Sequence, residues 1–140
     1  MKPILIIICF GLSFFCSAQK VTLNISGIDN SNGHLQISIF ESAVQFEDEE
    51  PAEILFFDKS GMIDGKKSIT IDLTHGIYGI VVLDDEDQSK DMTYRFGIYP
   101  LEGVGFSNFQ FSGLSKPDFD EFDFEVLEDN MNININMKNF

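Results

Sequence analysis

From Val21 the chain reads Val-Thr-Leu-Asn-Ile-Ser-Gly-Ile, apolar and polar by turns, with the two-residue period of a strand that buries one face. Asp29-Asn30-Ser31-Asn32-Gly33 follows and predicts a turn, because these residues accept positive backbone angles or bond their own backbone. His34-Leu35-Gln36-Ile37-Ser38-Ile39-Phe40 resumes the alternation, so the two runs are expected to pair as a hairpin. Over 41–58 the rhythm breaks. Phe46, the acidic Glu47-Asp48-Glu49-Glu50, Pro51 and the apolar Ile54-Leu55-Phe56-Phe57 predict a loop with one helical turn and then a short strand. Ser60-Gly61 and Asp64-Gly65 punctuate the chain before another alternating strand at 67–73.

Thr74-His75-Gly76 predicts a turn into 77–83, a nearly continuous apolar and β-branched run expected of a central strand. An acidic, glycine-bearing excursion then occupies 84–117, and two further strands are predicted at 122–127 and 131–137. About seven short strands with no amphipathic helix of useful length argue for a single all-β domain, a two-sheet sandwich or a flattened barrel. The excursion is long for a compact domain, and such loops are where function most often resides.

Ahead of the first strand, Met1 and Lys2 precede an apolar run over 4–15 and the small residues Ser17 and Ala18. That is the layout of a signal peptide cut after Ala18, leaving 19–140 as the exported domain. The apolar run is too short to span a bilayer comfortably, so no stable membrane span is expected after cleavage. Cys16 follows Phe15 rather than a small residue, which disfavours lipidation. Cleavage also removes Cys9 and Cys16, and with them disulfides and thiolate chemistry. The remaining length suffices to bury roughly two thirds of its unfolded surface without staples.

The net charge of −14 becomes one unit more negative once Lys2 is lost. Such a field repels phosphate backbones, which excludes nucleic acid as a natural partner and leaves cations, basic proteins or simple solubility.

Within the excursion, Phe96-Gly97-Ile98-Tyr99-Pro100-Leu101-Glu102-Gly103-Val104-Gly105-Phe106-Ser107-Asn108 resembles the signature of the family known as domain of unknown function 2141. The likeness extends to a strand ending near Gly27-Ile28, a second ending near Phe40-Glu41-Ser42, and Gly76-Ile77-Tyr78 leading into the central strand. The resemblance implies a small secreted or periplasmic β-sandwich, immunoglobulin-like or prealbumin-like, with no established activity. Fold alone does not carry chemistry.

In members of that family the central strand is followed by an Asp- and Asn-rich loop that looks like a cation site. Here the segment reads Asp84-Asp85-Glu86-Asp87-Gln88-Ser89-Lys90-Asp91. Asp85, Asp87, Ser89 and Asp91 keep the every-other-residue oxygen spacing of a Ca²⁺ loop, although the bend glycine is missing. Ca²⁺ is therefore the one cofactor the sequence suggests, and an exposed turn kept soluble by its charges is the alternative.

Glu102, Gly103, Gly105, Phe106, Ser107 and Asn108 are the candidates for contact with a partner, since closely spaced glycines let backbone groups approach a ligand. The same residues also suit a purely conformational role. Ser107 lacks the Gly-x-Ser-x-Gly context of a strained nucleophile and has no evident base. His34 and His75 have no companion at ligand spacing. The expectation is an exported, non-enzymatic binding or structural module that meets a protein or a cell-envelope component through its long loop, with a calcium-dependent module as the alternative.

Overall fold

The computed structural model describes residues 17–86, 103–112 and 115–139. They form a sandwich-like all-β fold of eight strands: β1 (Gln19–Ser26), β2 (His34–Phe40), β3 (Glu53–Asp58), β4 (Lys66–Leu73), β5 (Gly76–Asp85), β6 (Val104–Phe106), β7 (Phe124–Val126) and β8 (Met131–Asn136). One sheet has the order β4-β1-β8 and the other β3-β2-β5-β6, with β7 also paired to β5. The strand at 104–106 lies inside the predicted excursion and brings the count above the expected seven.

The alternating sequences set the core. Val21, Leu23 and Ile25 of β1, Ile69, Ile71 and Leu73 of β4, and Ile133 and Ile135 of β8 face Leu35, Ile37 and Ile39 of β2 and Ile80 and Val82 of β5. A Val, Leu or Ile side chain so buried contributes about 1.5–3 kcal/mol.

The expected hairpin between the first two strands does not form. β1 pairs antiparallel with β4 and parallel with β8, whereas β2 pairs with β3 and β5 in the opposite sheet. The glycine-flanked link crosses from one layer to the other, with Gly27 and Gly33 both at positive φ. Turn composition permits a bend but does not say which partner each strand will find. The burial of β2 carries that information: six of its seven residues are buried on alternating sides, so it needs cover on both faces, unlike the half-exposed β1.

That cover is a second core. Phe40, Phe46, Val81, Val104, Phe106, Phe119 and Phe122 pack together on the outer face of the β2–β5 sheet. The helix α1 (Ala43–Glu47) supplies Phe46, and a single 3-10 turn at Phe119–Glu121 leads into Phe122. Ring centroids lie 4.8 Å apart for Phe46–Phe122, 5.2 Å for Phe106–Phe122 and 5.3 Å for Phe40–Phe46, all edge-on. Such pairs add about 0.5–1.5 kcal/mol beyond the area they bury. Lys116 clamps the layer by donating to the Phe46 carbonyl at 2.8 Å and lying 4.1 Å over its ring.

Candidate functional site

Inward alternation continues to the end of β5 as Ile80, Val82, Asp84, and along β3 and just past its end as Leu55, Phe57, Lys59. Asp84 and Lys59 meet there as an ion pair, with side chains 1% and 0% exposed. Both strands therefore close the main core with a charge. The Asp84 carboxyl is raised from its ordinary value by burial, and the Lys59 ammonium opposes that rise by hydrogen bond and by charge. Exposed Asp58, beside it, is held below its ordinary value by the Ser60 hydroxyl and N–H, with Lys67 adding its charge. The composition of 84–91 predicts Asp84 in an acidic loop, whereas the fold makes it part of β5. The signal that would have found its partner is the shared two-residue period of the two strands.

Of the predicted calcium ligands, Asp85 is buried at the end of β5, while Asp87, Ser89 and Asp91 lie outside the described residues. Among the described residues no group of three His, Cys, Asp or Glu side chains is placed to hold a metal ion. Glu102 also lies outside them.

The rest of the glycine-rich motif is a seam between the two sheets. Gly103 accepts from the Asp84 N–H at 2.9 Å. Val104 exchanges backbone bonds with Lys138, N–H to O at 3.0 Å and O from N–H at 2.8 Å. Gly105 is required by close approach, because a Cβ there would stand 2.6 Å from the Ile135 methyl.

Phe106 is buried at the centre of the phenylalanine layer. Ser107, wholly buried, accepts from the Ile80 N–H at 3.0 Å and donates to the Phe122 carbonyl at 2.6 Å. Its hydroxyl is thereby committed to joining β5 to the aromatic layer. Asn108, at φ +50°, donates its backbone N–H to the Asn134 carbonyl and accepts the Asn134 N–H on Oδ1 at 3.0 Å. The motif thus binds β5 on one side and β8 on the other. Gly103, Gly105, Phe106 and Ser107 are inside the molecule, and Asn108 alone of the described five is exposed.

The exposed surface with distinct chemistry lies elsewhere. On the outer face of the β4-β1-β8 sheet, the register aligns Thr70, Thr22 and Asn132 in one row, Ser68, Asn24 and Asn134 in the next, and Lys66, Ser26 and Asn136 in the third. Ser68 donates to Asn24 Oδ1 at 3.0 Å, Asn24 donates to Asn132 at 3.4 Å, and Ser26 donates to Asn136 at 2.7 Å. These side chains are short, uncharged and hydrogen-bonding on both donor and acceptor sides.

The connection after β3 stands over this sheet. Asp64 and Gly65, with φ +51° and +69°, make the tight turn into β4 that an Asp-Gly pair favours. Gly61, Ile63 and Asp64 then wall an open groove of about 770 Å³ whose floor includes Asn24, Ser68 and Asn134.

Neither a curated protein nor a solved structure matches this chain. The family model described as an uncharacterised protein conserved in bacteria, DUF2141, matches residues 23–134, from the second core position of β1 to the middle of β8. That span takes in both sheets and the glycine-rich seam that joins them, and the chain belongs to this family.

Proposed function

We propose that the chain is an exported, non-enzymatic binding module of the cell envelope, and that it meets its partner through the outer face of the β4-β1-β8 sheet. The signal-peptide layout of residues 1–18 supports export. The observation that carries the binding surface is the contrast between the two outer faces. One is overlaid by the phenylalanine layer. The other is open and grooved, with amide and hydroxyl groups on the floor and Asp64, Lys66 and Lys67 also lining the groove. In the described part of the long loop, Phe106 is spent on the second core and the Ser107 hydroxyl is committed to two hydrogen bonds, so neither supports a surface there.

The test has two arms. The chain is expressed in full in a Gram-negative host, and mass spectrometry of the envelope and medium fractions is expected to find it beginning at Gln19. An intact chain confined to the cytoplasm contradicts export. The recovered protein is then immobilised and challenged with solubilised envelope material. Retention is expected to fall at least tenfold in the Asn24→Ala/Ser68→Ala/Asn134→Ala variant, and equal retention places the surface elsewhere.

A further inference from the structure

We infer that the groove on the β4-β1-β8 face takes a neutral polyhydroxylated chain, a glycan without charged substituents. This rests on the reading of that face as the binding surface and gives its ligand a chemical class.

The first argument is charge. The chain carries 23 acidic residues against nine Lys and Arg, yet the three rows of this face that span all three strands contain Ser, Thr and Asn with Lys66 as their one charged member. The charges that line the groove, Asp64, Lys66 and Lys67, are of both signs, so they favour neither an anion nor a cation strongly, and a neutral ligand can lie on the uncharged floor of Asn24, Ser68 and Asn134 without desolvating them.

The second is hydrogen-bonding chemistry. Hydroxyls and carboxamides both donate and accept, as sugar hydroxyls do, and strand geometry fixes them on a regular grid, about 4.8 Å between strands and about 6.8 Å along each. A repeating polymer of diols is matched by a repeating array of such groups. Part of the grid is already bonded within itself, which holds the side chains in place. Asn134, at the groove floor, makes no side-chain hydrogen bond among the described residues and points its amide to solvent with Asn136 beside it.

The third is shape. The groove volume lies in the range of ligand clefts. Its wall presents Ile63, 72% exposed, which offers an apolar contact for the C–H face of a sugar ring.

The test uses protein produced from the full chain, labelled with nitrogen-15 and titrated with cellohexaose, laminarihexaose, maltohexaose and chitohexaose. At least one is expected to shift the amide resonances of Asn24, Ile63, Ser68 and Asn134 while leaving Phe46 and Phe122 unmoved. Asn24→Ala with Asn134→Ala is expected to weaken that binding at least tenfold. Ile63→Ser, which touches no core contact, provides a second variant with weaker binding and an unchanged spectrum elsewhere.

Envelope material captured by the face is also treated with trifluoromethanesulfonic acid, which cleaves glycosidic bonds and spares peptide bonds, and capture is expected to be lost. Capture that survives this treatment overturns the glycan assignment and leaves the binding surface intact. Absence of shifts with all four sugars overturns it, as do shifts at these residues that grow with protein concentration alone, since those mark a second copy on the face.

Discussion

Lys59 and Asp84 are the residues whose chemistry is most exposed to test, because each is buried and each is the other's partner. Lys59→Met leaves a carboxylate inside the sandwich without its counter-charge, and a loss of about 3–5 kcal/mol in urea unfolding is expected. Replacing both, Lys59→Met with Asp84→Leu, is expected to recover most of that stability, since an apolar pair needs no desolvation. The pH dependence has a definite sign. The folded chain holds a proton on Asp84 more readily than the unfolded chain does. This group's contribution to stability is thus fully present below the ordinary value of 3.8 and is lost as pH rises through the raised folded value. Lys59→Met removes the opposing pull, so the variant is expected to lose more stability than wild type between about pH 4 and neutrality, read from urea midpoints. Equal losses in the two proteins would show that the carboxyl is solvated. Ser107→Ala strips the Ile80 N–H and the Phe122 carbonyl of a partner, and a loss of about 1–3 kcal/mol is expected by the same measurement.

At the scale of elements, the aromatic layer behaves as a second core rather than as loop decoration. Phe122 touches Phe46, Phe106 and Phe119, so Phe122→Ala is expected to cost about 3–5 kcal/mol of stability in chemical denaturation. Gly79 occupies a central strand, where glycine is otherwise unfavourable, because the rings of Phe119 and Phe122 lie where its side chain would be. A Cβ would stand 2.6 Å from each. Gly79→Ala is therefore expected to destabilise by about 1–3 kcal/mol through displacement of the layer, and a wild-type melting point would show that the layer does not press on β5. The glycine and the phenylalanines are both plain in the sequence. Their relation is not, since 40 residues separate Gly79 from Phe119 and the contact exists only when the chain folds back.

For the whole molecule, the proposed glycan surface is expected to be nearly indifferent to salt. The acidic residues give the chain its net −14, but the amide and hydroxyl grid has little charge to screen. Affinity for a neutral glycan is expected to change less than about twofold between 0.05 and 0.5 M NaCl, although the Debye length falls severalfold over that range. Calorimetric titration at the two ionic strengths reads this directly, and a steep salt dependence would mean that Lys66 and Lys67 dominate recognition.

What the sequence determined by itself was the local grammar: strands at nearly every alternating run, the helical turn at Phe46, the Asp64-Gly65 turn, the all-β class and the family likeness. Those follow from side-chain period and turn chemistry, which act over a few residues. Only the tertiary structure decided that β1 and β2 belong to opposite sheets, that β8 runs parallel to β1, that Lys59 and Asp84 close the core, and that Gly103–Asn108 is a seam with Ser107 and Phe106 inside it. The outward residues of β1, β4 and β8 were legible as polar positions one strand at a time. Their assembly into one grid depended on register between strands far apart in the chain, and register is set by which apolar faces must share a core.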